Sequence, residues 1–124
     1  MKNEKLINDI VFLIEIFSHY KDVSMYTLVK QTGFFESLDE IIESDIYEEL
    51  IKYPDCINHW MQYSEDQRTD SGWYILKAEN GKYIVGYFPA KANIKKTEYT
   101  NITEACASYI KHYMDNFRKI FKNG

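Results

Sequence analysis

Three charged residues on a short polar segment are the strongest candidates for chemistry in this chain of 124 residues. They are Asp66, Arg68 and Asp70, and two tryptophans, Trp60 and Trp73, flank them. Two carboxylates and a guanidinium beside aromatic rings could bind a small ligand or perform acid–base chemistry. Arg68 could instead form an ion pair that holds the segment against the preceding helix. Both interpretations remain open from the sequence.

A metal site is a weaker candidate, although Cys56-Ile-Asn-His59 has the spacing of half a zinc site. The second half is missing, because His19 and His112 belong to other predicted helices and Cys106 lies on an apolar stripe. A closed zinc site needs four ligands in paired local groups. We therefore expect no metal, and both cysteines as buried free thiols of the kind found in a reducing compartment.

Catalytic and cofactor motifs are absent from the sequence. It contains neither a Gly-x-Ser-x-Gly elbow nor a glycine-rich loop that precedes a helix. Neither cysteine has a base predicted beside it. We therefore expect no enzyme and no cofactor.

The charge is distributed unevenly along the chain. Residues 1–70 carry 15 acids and 6 bases, a net charge of −9, whereas residues 71–124 carry 4 acids and 9 bases, a net charge of +5. Seven acids and no base lie between Gln31 and Ile51. Such a run is typical of a solvated helical face, and it also suits a cationic protein partner.

Nucleic acid and membranes are not expected as partners. The basic half of the chain contains lysines for the most part, and the whole chain has two arginines, the residue on which base recognition relies. The apolar run Ile10-Val-Phe-Leu-Ile14 is far shorter than the ~20 residues that span a bilayer. The beginning of the chain has no signal-peptide pattern, so we expect a cytoplasmic protein.

Helical periodicity dominates residues 1–68. The pattern predicts one helix over Leu6–Phe17 that ends near Tyr20, and a short second helix that Asp22 or Ser24 caps and Gly33 ends. A capping box, Ser37-Leu-Asp-Glu40, predicts the start of a third helix that runs to Ile51, with a break near Ser44 as an alternative. Pro54 suits the first turn of a fourth helix, which would carry Ile57, Trp60 and Met61 inward.

Alternation with a period of two replaces the helical pattern from Gly72 onward. Asn80-Gly81 predicts a two-residue type I′ turn, and this turn pairs Trp73 with Phe88 and Ile75 with Gly86. We expect the open end of the hairpin, at Trp73 and Phe88, to be buried on both faces. A third antiparallel strand over Ile94–Thr100 and a long helix, capped by Asn101 with Glu104 completing a capping box, follow.

The predicted fold is therefore a single α+β domain over residues 1–124. Residues 1–68 form a mainly helical cluster, and residues 72–124 form a three-stranded antiparallel meander with the long C-terminal helix packed on it.

Part of this pattern resembles a known class of proteins. The residues that carry the resemblance are Trp60-x-x-Tyr63-Ser64-x-Asp66-x-Arg68, Gly72-Trp-Tyr-Ile75, Gly81-Lys-Tyr-Ile-Val-Gly-Tyr87 and Glu104-Ala-Cys106. Over Trp60 to Tyr113, about the last half of the chain, they resemble small bacterial immunity proteins of contact-dependent growth inhibition and other polymorphic toxin systems. The resemblance implies a cytosolic, non-enzymatic protein that binds one toxin domain tightly and covers its active site or substrate groove. Many such toxins are nucleases with positively charged clefts.

Two regions are the candidate contacts with such a toxin. The first is the acidic segment, which would imitate nucleic-acid phosphates and accelerate association; it comprises Glu36, Asp39, Glu40, Glu43, Asp45, Glu48 and Glu49, with Tyr47 as a surface aromatic. The second is the segment that contains Tyr63, Asp66, Arg68 and Asp70. The alternative function is a small ligand-binding module or enzyme that uses Asp66, Arg68 and Asp70 beside Trp60 and Trp73.

Overall fold

A computed structural model describes residues 4–20, 23–32, 41–66, 72–88 and 96–123, and it confirms the α+β class. The helices are α1 (Glu4–Val11), α2 (Leu13–Ser18), α3 (Met25–Gln31), α4 (Glu43–Lys52), α5 (Asp55–Asp66) and α6 (Ile102–Asn123). The strands are β1 (Gly72–Lys77), β2 (Tyr83–Phe88) and β3 (Thr97–Tyr99). They form an antiparallel sheet in the order β1-β2-β3, and α6 packs against this sheet and against α4.

The first predicted helix is divided into α1 and α2 at Phe12. Its backbone has φ −88° and ψ 6°, away from ideal helical angles. The hydrogen bonds continue across the division, because the Phe12 N–H donates to the Asn8 carbonyl and the Ile16 N–H donates to the Phe12 carbonyl, both at 3.0 Å. Helix α3 is capped as predicted by Ser24, whose Oγ accepts from the Thr27 N–H at 3.1 Å. Asp22 and Gly33 lie outside the described residues.

Helix α4 begins later than the capping-box pattern predicted. Residues 37–40 lie outside the described part of the chain, and the helix starts at Glu43. Ile42 has extended backbone angles, φ −116° and ψ 163°, and the Asp45 carboxylate accepts a hydrogen bond from its N–H at 3.4 Å. Ile41 is buried while Ile42 is 54% exposed, as expected for successive side chains of an extended segment. The prediction of a helix through Ile41 and Ile42 is therefore wrong, and the alternative of a break near Ser44 is closer, since α4 begins one residue before Ser44.

The hairpin differs from the prediction by one residue of register. Ile75 pairs with Val85 and Trp73 with Tyr87. The turn contains three residues: the Gly81 N–H donates to the Ala78 carbonyl at 3.0 Å, and Gly81 has φ +83°. No non-glycine residue in the described ranges has positive φ, whereas a type I′ turn requires it at both central positions. The geometry is that of a type I turn followed by a glycine bulge.

The corrected register also changes the two faces of the sheet. Ile75 and Val85 are buried beneath the helices, while Phe88 on the opposite face is 46% exposed. The open end of the hairpin is therefore covered on one face, contrary to the prediction. Gly86 lies opposite Tyr74, and a Cβ at Gly86 would lie 2.5 Å from the Tyr74 hydroxyl oxygen. Glycine leaves room there for the tyrosine ring.

The core lies between the sheet and the helices, with Trp60 of α5 at its centre. Trp60 is fully buried, and its indole N–H donates to the Val11 carbonyl at 3.0 Å. Tyr109 of α6 packs edge-to-face on the Trp60 ring, with centroids 5.8 Å apart. Asn101 caps α6 as predicted, since its Oδ1 accepts from the N–H groups of Thr103 and Glu104 at 2.8 and 3.1 Å. The contacts of Trp60 with Val11 and Tyr109 join α1, α5 and α6 around one aromatic ring.

A serine completes the outer edge of the sheet. Ser64 of α5 is buried, and its Oγ donates to the Ile75 carbonyl at 2.8 Å and accepts from the Ile75 N–H at 2.9 Å. Ile75 lies on β1, which is an edge strand in the order β1-β2-β3. An edge strand leaves alternate backbone groups without a strand partner, and Ser64 supplies one.

Candidate partner-binding surface

Helix α4 divides the acidic residues into an outer and an inner group. Ile46 and Leu50 are buried against the core, whereas Glu43 at the start of the helix and Glu48 are both exposed. Tyr47 lies between the two faces and is partly buried. Helix α4 therefore carries two of the predicted partner contacts at exposed, outward positions that another protein can reach.

Glu49 does not occupy such an outward position. It is 6% exposed, and its carboxylate accepts a hydrogen bond from the Asn8 side-chain amide at 2.9 Å. The Lys52 ammonium lies 3.7 Å from the other carboxylate oxygen. Because a buried carboxylate is stable only when it is hydrogen-bonded or paired, Glu49 holds α4 against α1. We therefore correct the expectation that Glu49 contacts a partner.

The remaining acidic positions have different outcomes. Asp45 is partly buried, and its carboxylate accepts the hydrogen bond from the Ile42 N–H that begins α4. Glu36, Asp39 and Glu40 lie outside the described residues. Of the predicted acidic segment, the structure thus places Glu43 beside Tyr47, and Glu48 is exposed elsewhere on α4.

At Glu43 and Tyr47, the first turns of α4 and α6 enclose a depression of about 440 Å³. We call it the α4–α6 depression, and it is lined by Glu43, Ser44, Tyr47, Tyr99, Glu104 and Ala107. Tyr99 comes from β3, and its hydroxyl donates to the Ser108 Oγ at 2.9 Å, which fixes the position of the ring. Ala107 is buried at its base. The depression therefore combines two carboxylates with two tyrosines.

One carboxylate of the α4–α6 depression, that of Glu43, is affected by the charge of the other. Partial burial raises the pKa of Glu43 above its ordinary value of 4.5, and the negative charge of Glu104 raises that pKa further. The positive charge of Lys111 opposes this effect, but the Lys111 ammonium is itself paired with Asp115 at 3.0 Å. The depression is consequently a site of negative charge, and a cation bound there would stabilise the ionised form of Glu43.

The second predicted contact region is largely structural where it is described. The Tyr63 and Tyr113 hydroxyls hydrogen-bond to each other at 2.7 Å, and the Tyr63 ring packs edge-to-face on Trp60. Burial raises the pKa of Tyr113 above its ordinary value of 10. Asp66 is exposed and accepts a hydrogen bond from the Gln62 amide at 3.1 Å. Tyr63 therefore belongs to an aromatic cluster that extends into the core.

The site of the alternative function is only partly visible. Arg68 and Asp70 lie outside the described residues. Trp60 is fully buried, and Trp73 stacks on the imidazole of His112, with ring centroids 3.9 Å apart and an angle of 11° between the planes. Among the described residues, the Trp60 indole is therefore part of the core and the Trp73 indole packs on His112.

A different crevice lies between α2 and α5. One part, of about 630 Å³, is lined by residues that include Phe12, Glu15, Tyr53 and His59. An adjoining part, of about 390 Å³, includes Glu15, His59 and also Asp66. In the ranges that the structure describes, the His59 Nδ1 is buried without a hydrogen-bond partner. Such an atom is rare in a folded protein, and His59 lines both parts of the crevice.

The cysteines are free and buried, as predicted. Burial, with lesser contributions from nearby carboxylates such as Glu15, raises the pKa of Cys56 to about 11, and burial raises the pKa of Cys106 as well. Both thiols are therefore protonated and unreactive near neutral pH. Among the described residues, no group of three or more His, Cys, Asp or Glu side chains could hold a metal ion.

Glu104 and Tyr99, which give the α4–α6 depression a carboxylate and an aromatic ring, were not predicted as site residues. Glu104 was assigned to a capping box, and Tyr99 lies in the segment that was predicted as the third strand. Their types gave a weak signal, because an acid in the first turn of a helix has an ordinary structural role. Only the packing of α6 beside α4 shows that they face Glu43 and Tyr47.

Comparisons of the chain with protein-family models, with curated proteins and with solved structures found no match. Within the described ranges, no helix has the length and apolar character needed to cross a membrane.

Proposed function

We propose that this chain is an immunity protein that binds a cognate bacterial toxin domain, a nuclease, and covers its active site or substrate groove. The observation that carries the proposal is the joint surface of α4 and α6. It presents Glu43 and Glu104 beside Tyr47 and Tyr99, and Glu48 is a further exposed acid on α4. Negative charge next to tyrosine suits a positively charged cleft, since carboxylates imitate phosphates and tyrosine gives rigid contact area.

The size of a specific complex indicates how far the contact extends. A typical interface buries about 800 Å² on each partner. The chain has an accessible surface of 7775 Å², so such a contact would cover roughly a tenth of it. The α4–α6 depression alone is too small for this area. The contact would therefore continue along the exposed side of α4, past Glu48 to Ile51, which is 57% exposed.

Co-expression in a bacterial host tests the proposal. The partner is the C-terminal domain of a large secreted protein encoded next to this chain. We expect this domain to stop growth when expressed alone, and co-expression of the chain to restore growth. The purified proteins should form a complex that is measurable by calorimetry. A toxic domain that is neither bound nor neutralised would contradict the proposal.

Charge reversal tests the contribution of the outward acids. The double variant Glu43→Lys/Glu48→Lys should associate with the toxin domain at least ~10-fold more slowly at low salt, because electrostatic steering supplies factors of 10 to 1,000 in association rate. Its rate should also depend less on salt. The single variant Glu79→Lys places a lysine on the exposed hairpin turn, away from α4, and should associate at close to the normal rate. Equal rates and salt slopes in all the proteins would refute the role of α4.

A second candidate function is supported by the α2–α5 crevice. Its volume of about 630 Å³ lies within the range of small-molecule sites, and the His59 Nδ1 lacks a partner within the described residues. A ligand that hydrogen-bonds to His59 should shift the imidazole resonances of this residue in NMR spectra of the protein titrated with a metabolite library. His59→Phe should remove that response and leave toxin neutralisation unchanged.

A further inference from the structure

The α4–α6 depression has a shape and a chemistry that suit one particular side chain. Tyr47 and Tyr99 supply aromatic surface, buried Ala107 lies at the base, and Glu43 and Glu104 supply carboxylates from two different helices. The Tyr99 ring is held in place by its hydrogen bond to Ser108. A group that enters this space meets aromatic surface and negative charge together.

Among the residues that the structure describes, the negative charge in the depression is only partly balanced. The charge of Glu104 disfavours ionisation of Glu43, and Lys111, which opposes this effect, is engaged by Asp115 at 3.0 Å. An acid in the first turn of a helix normally interacts favourably with the helix dipole, which would make it easier to ionise. Burial and the charge of Glu104 outweigh that effect at Glu43. An added cation would therefore be stabilised.

We infer that the α4–α6 depression receives one arginine side chain of the partner, which stacks on Tyr47 or Tyr99 and donates hydrogen bonds to Glu43 and Glu104. This inference rests on the proposed function for the identity of the partner. A guanidinium is planar, stacks on aromatic rings and offers five N–H donors, so it can engage both carboxylates at once. A lysine ammonium is a more strongly hydrated point charge and matches the site less well. A metal ion would find two carboxylates there and no third ligand of the His, Cys, Asp or Glu type in the described residues.

An NMR titration with an arginine compound tests the site without any toxin. The probe is N-acetyl-L-arginine amide, which carries one positive charge. We expect saturable shifts of the backbone amides of residues 43–47, 99 and 104–107, with a dissociation constant in the millimolar range. N-acetyl-lysine amide should bind several-fold more weakly. N-acetyl-citrulline amide has nearly the same shape without the charge and should not saturate.

Matched variants separate this site from general attraction to acidic surfaces. Glu43→Gln/Glu104→Gln should weaken binding of the arginine compound at least ~10-fold. Glu79→Gln/Glu98→Gln removes the same charge from the hairpin and β3 and should not change the affinity. Tyr47→Leu keeps both carboxylates and should weaken binding by a smaller factor. Shifts that persist in the first double variant, or that occur equally with the citrulline compound, would overturn the inference.

Binding of the toxin domain distinguishes this inference from the proposed function. If the normal chain neutralises the toxin and Glu43→Gln/Glu104→Gln binds it with unchanged affinity, the arginine site is wrong and the immunity function stands. If the arginine compound binds the depression but the toxin domain is not bound, the proposed function is wrong and the site stands. If the toxin domain and the arginine compound both bind as expected, single arginines of the toxin can be replaced by alanine. One of these replacements should change the binding free energy in a way that is not additive with the change caused by Glu43→Gln/Glu104→Gln.

Discussion

Replacing Ser64 by alanine removes the hydroxyl that serves both backbone groups of Ile75. Ile75 is 3% exposed, and Ser64 is equally buried, so water cannot readily replace the hydroxyl. An unsatisfied buried donor or acceptor costs about 1–3 kcal/mol. With two such groups, and allowing for some local adjustment, we expect Ser64→Ala to lower the free energy of unfolding by about 2–4 kcal/mol. That is a large share of the roughly 5–15 kcal/mol typical of a whole domain.

Equilibrium unfolding in urea, followed by circular dichroism, measures this loss. For a chain of this length, ~1 kcal/mol corresponds to about 4 °C in melting temperature, so the thermal midpoint should fall by about 8–16 °C. Hydrogen exchange should show where the loss arises. On the outer edge of β1, the Ile75 amide donates its hydrogen bond to Ser64, so it should exchange much faster in the variant relative to its neighbours on β2.

Ser108→Ala is the matched control. Ser108 is 1% exposed, and it accepts one hydrogen bond from the Tyr99 hydroxyl. Tyr99 is only partly buried, so its hydroxyl can turn toward water, and the loss should be about 0.5–1.5 kcal/mol. Equal losses in the two variants, or a loss below ~1 kcal/mol for Ser64→Ala, would refute the role assigned to Ser64 at the sheet edge.

Three further predictions follow from local geometry. Gly86→Ala should lower the free energy of unfolding by about 1 kcal/mol or more, because its Cβ would meet the Tyr74 ring. In a Tyr74→Ala background the same substitution should cost little, and urea unfolding of the single and double variants measures the difference. Glu43→Gln should stabilise the chain at pH 7, because the raised pKa of Glu43 means that its ionised form is unfavourable in the folded state. This gain in stability should vanish as the pH falls below 4.5, where the carboxyl is protonated in both the folded and the unfolded state. Urea unfolding midpoints of the two proteins at pH 7 and pH 4 measure the difference. A gain that persists at pH 4 would point to a different cause. Cys56 and Cys106 should react with Ellman's reagent at pH 8 only after denaturant is added, and rapid reaction in the native state would contradict their burial and the pKa of about 11 at Cys56.

The order and type of the elements could be predicted because helical and alternating periodicities are strong signals over long segments. The hairpin register could not, for a physical reason. Asn80-Gly81 is compatible with two turns, and they differ in whether the asparagine also has positive φ. Both faces of the hairpin carry aromatic residues, so hydrophobic alternation did not distinguish the two registers. The structure selects the one in which Gly86 faces Tyr74.

The candidate site was only partly predictable from the sequence. The acids of α4 were recognised from their density, but their division into inner and outer groups depends on which side of α4 meets α1. Glu49 lies on the inner side and binds Asn8, 41 positions earlier in the chain, and no local pattern contains that contact. Glu104 reaches Glu43 through the packing of α6 beside α4, which is likewise a long-range property of the fold.

The two tryptophans give the chain two built-in optical reporters. Trp60 is fully buried among the helices, whereas Trp73 lies on the sheet against the ring of His112. Trp73→Phe would leave fluorescence from the helical core, and Trp60→Phe would leave fluorescence from the sheet. For each variant, the unfolding curve from fluorescence is compared with the curve from circular dichroism of the same variant. If the two curves coincide in both variants, the helical half and the sheet lose structure in one cooperative step. Because Trp73 shares β1 with Ile75, its signal also shows whether the edge of the sheet opens before the core does.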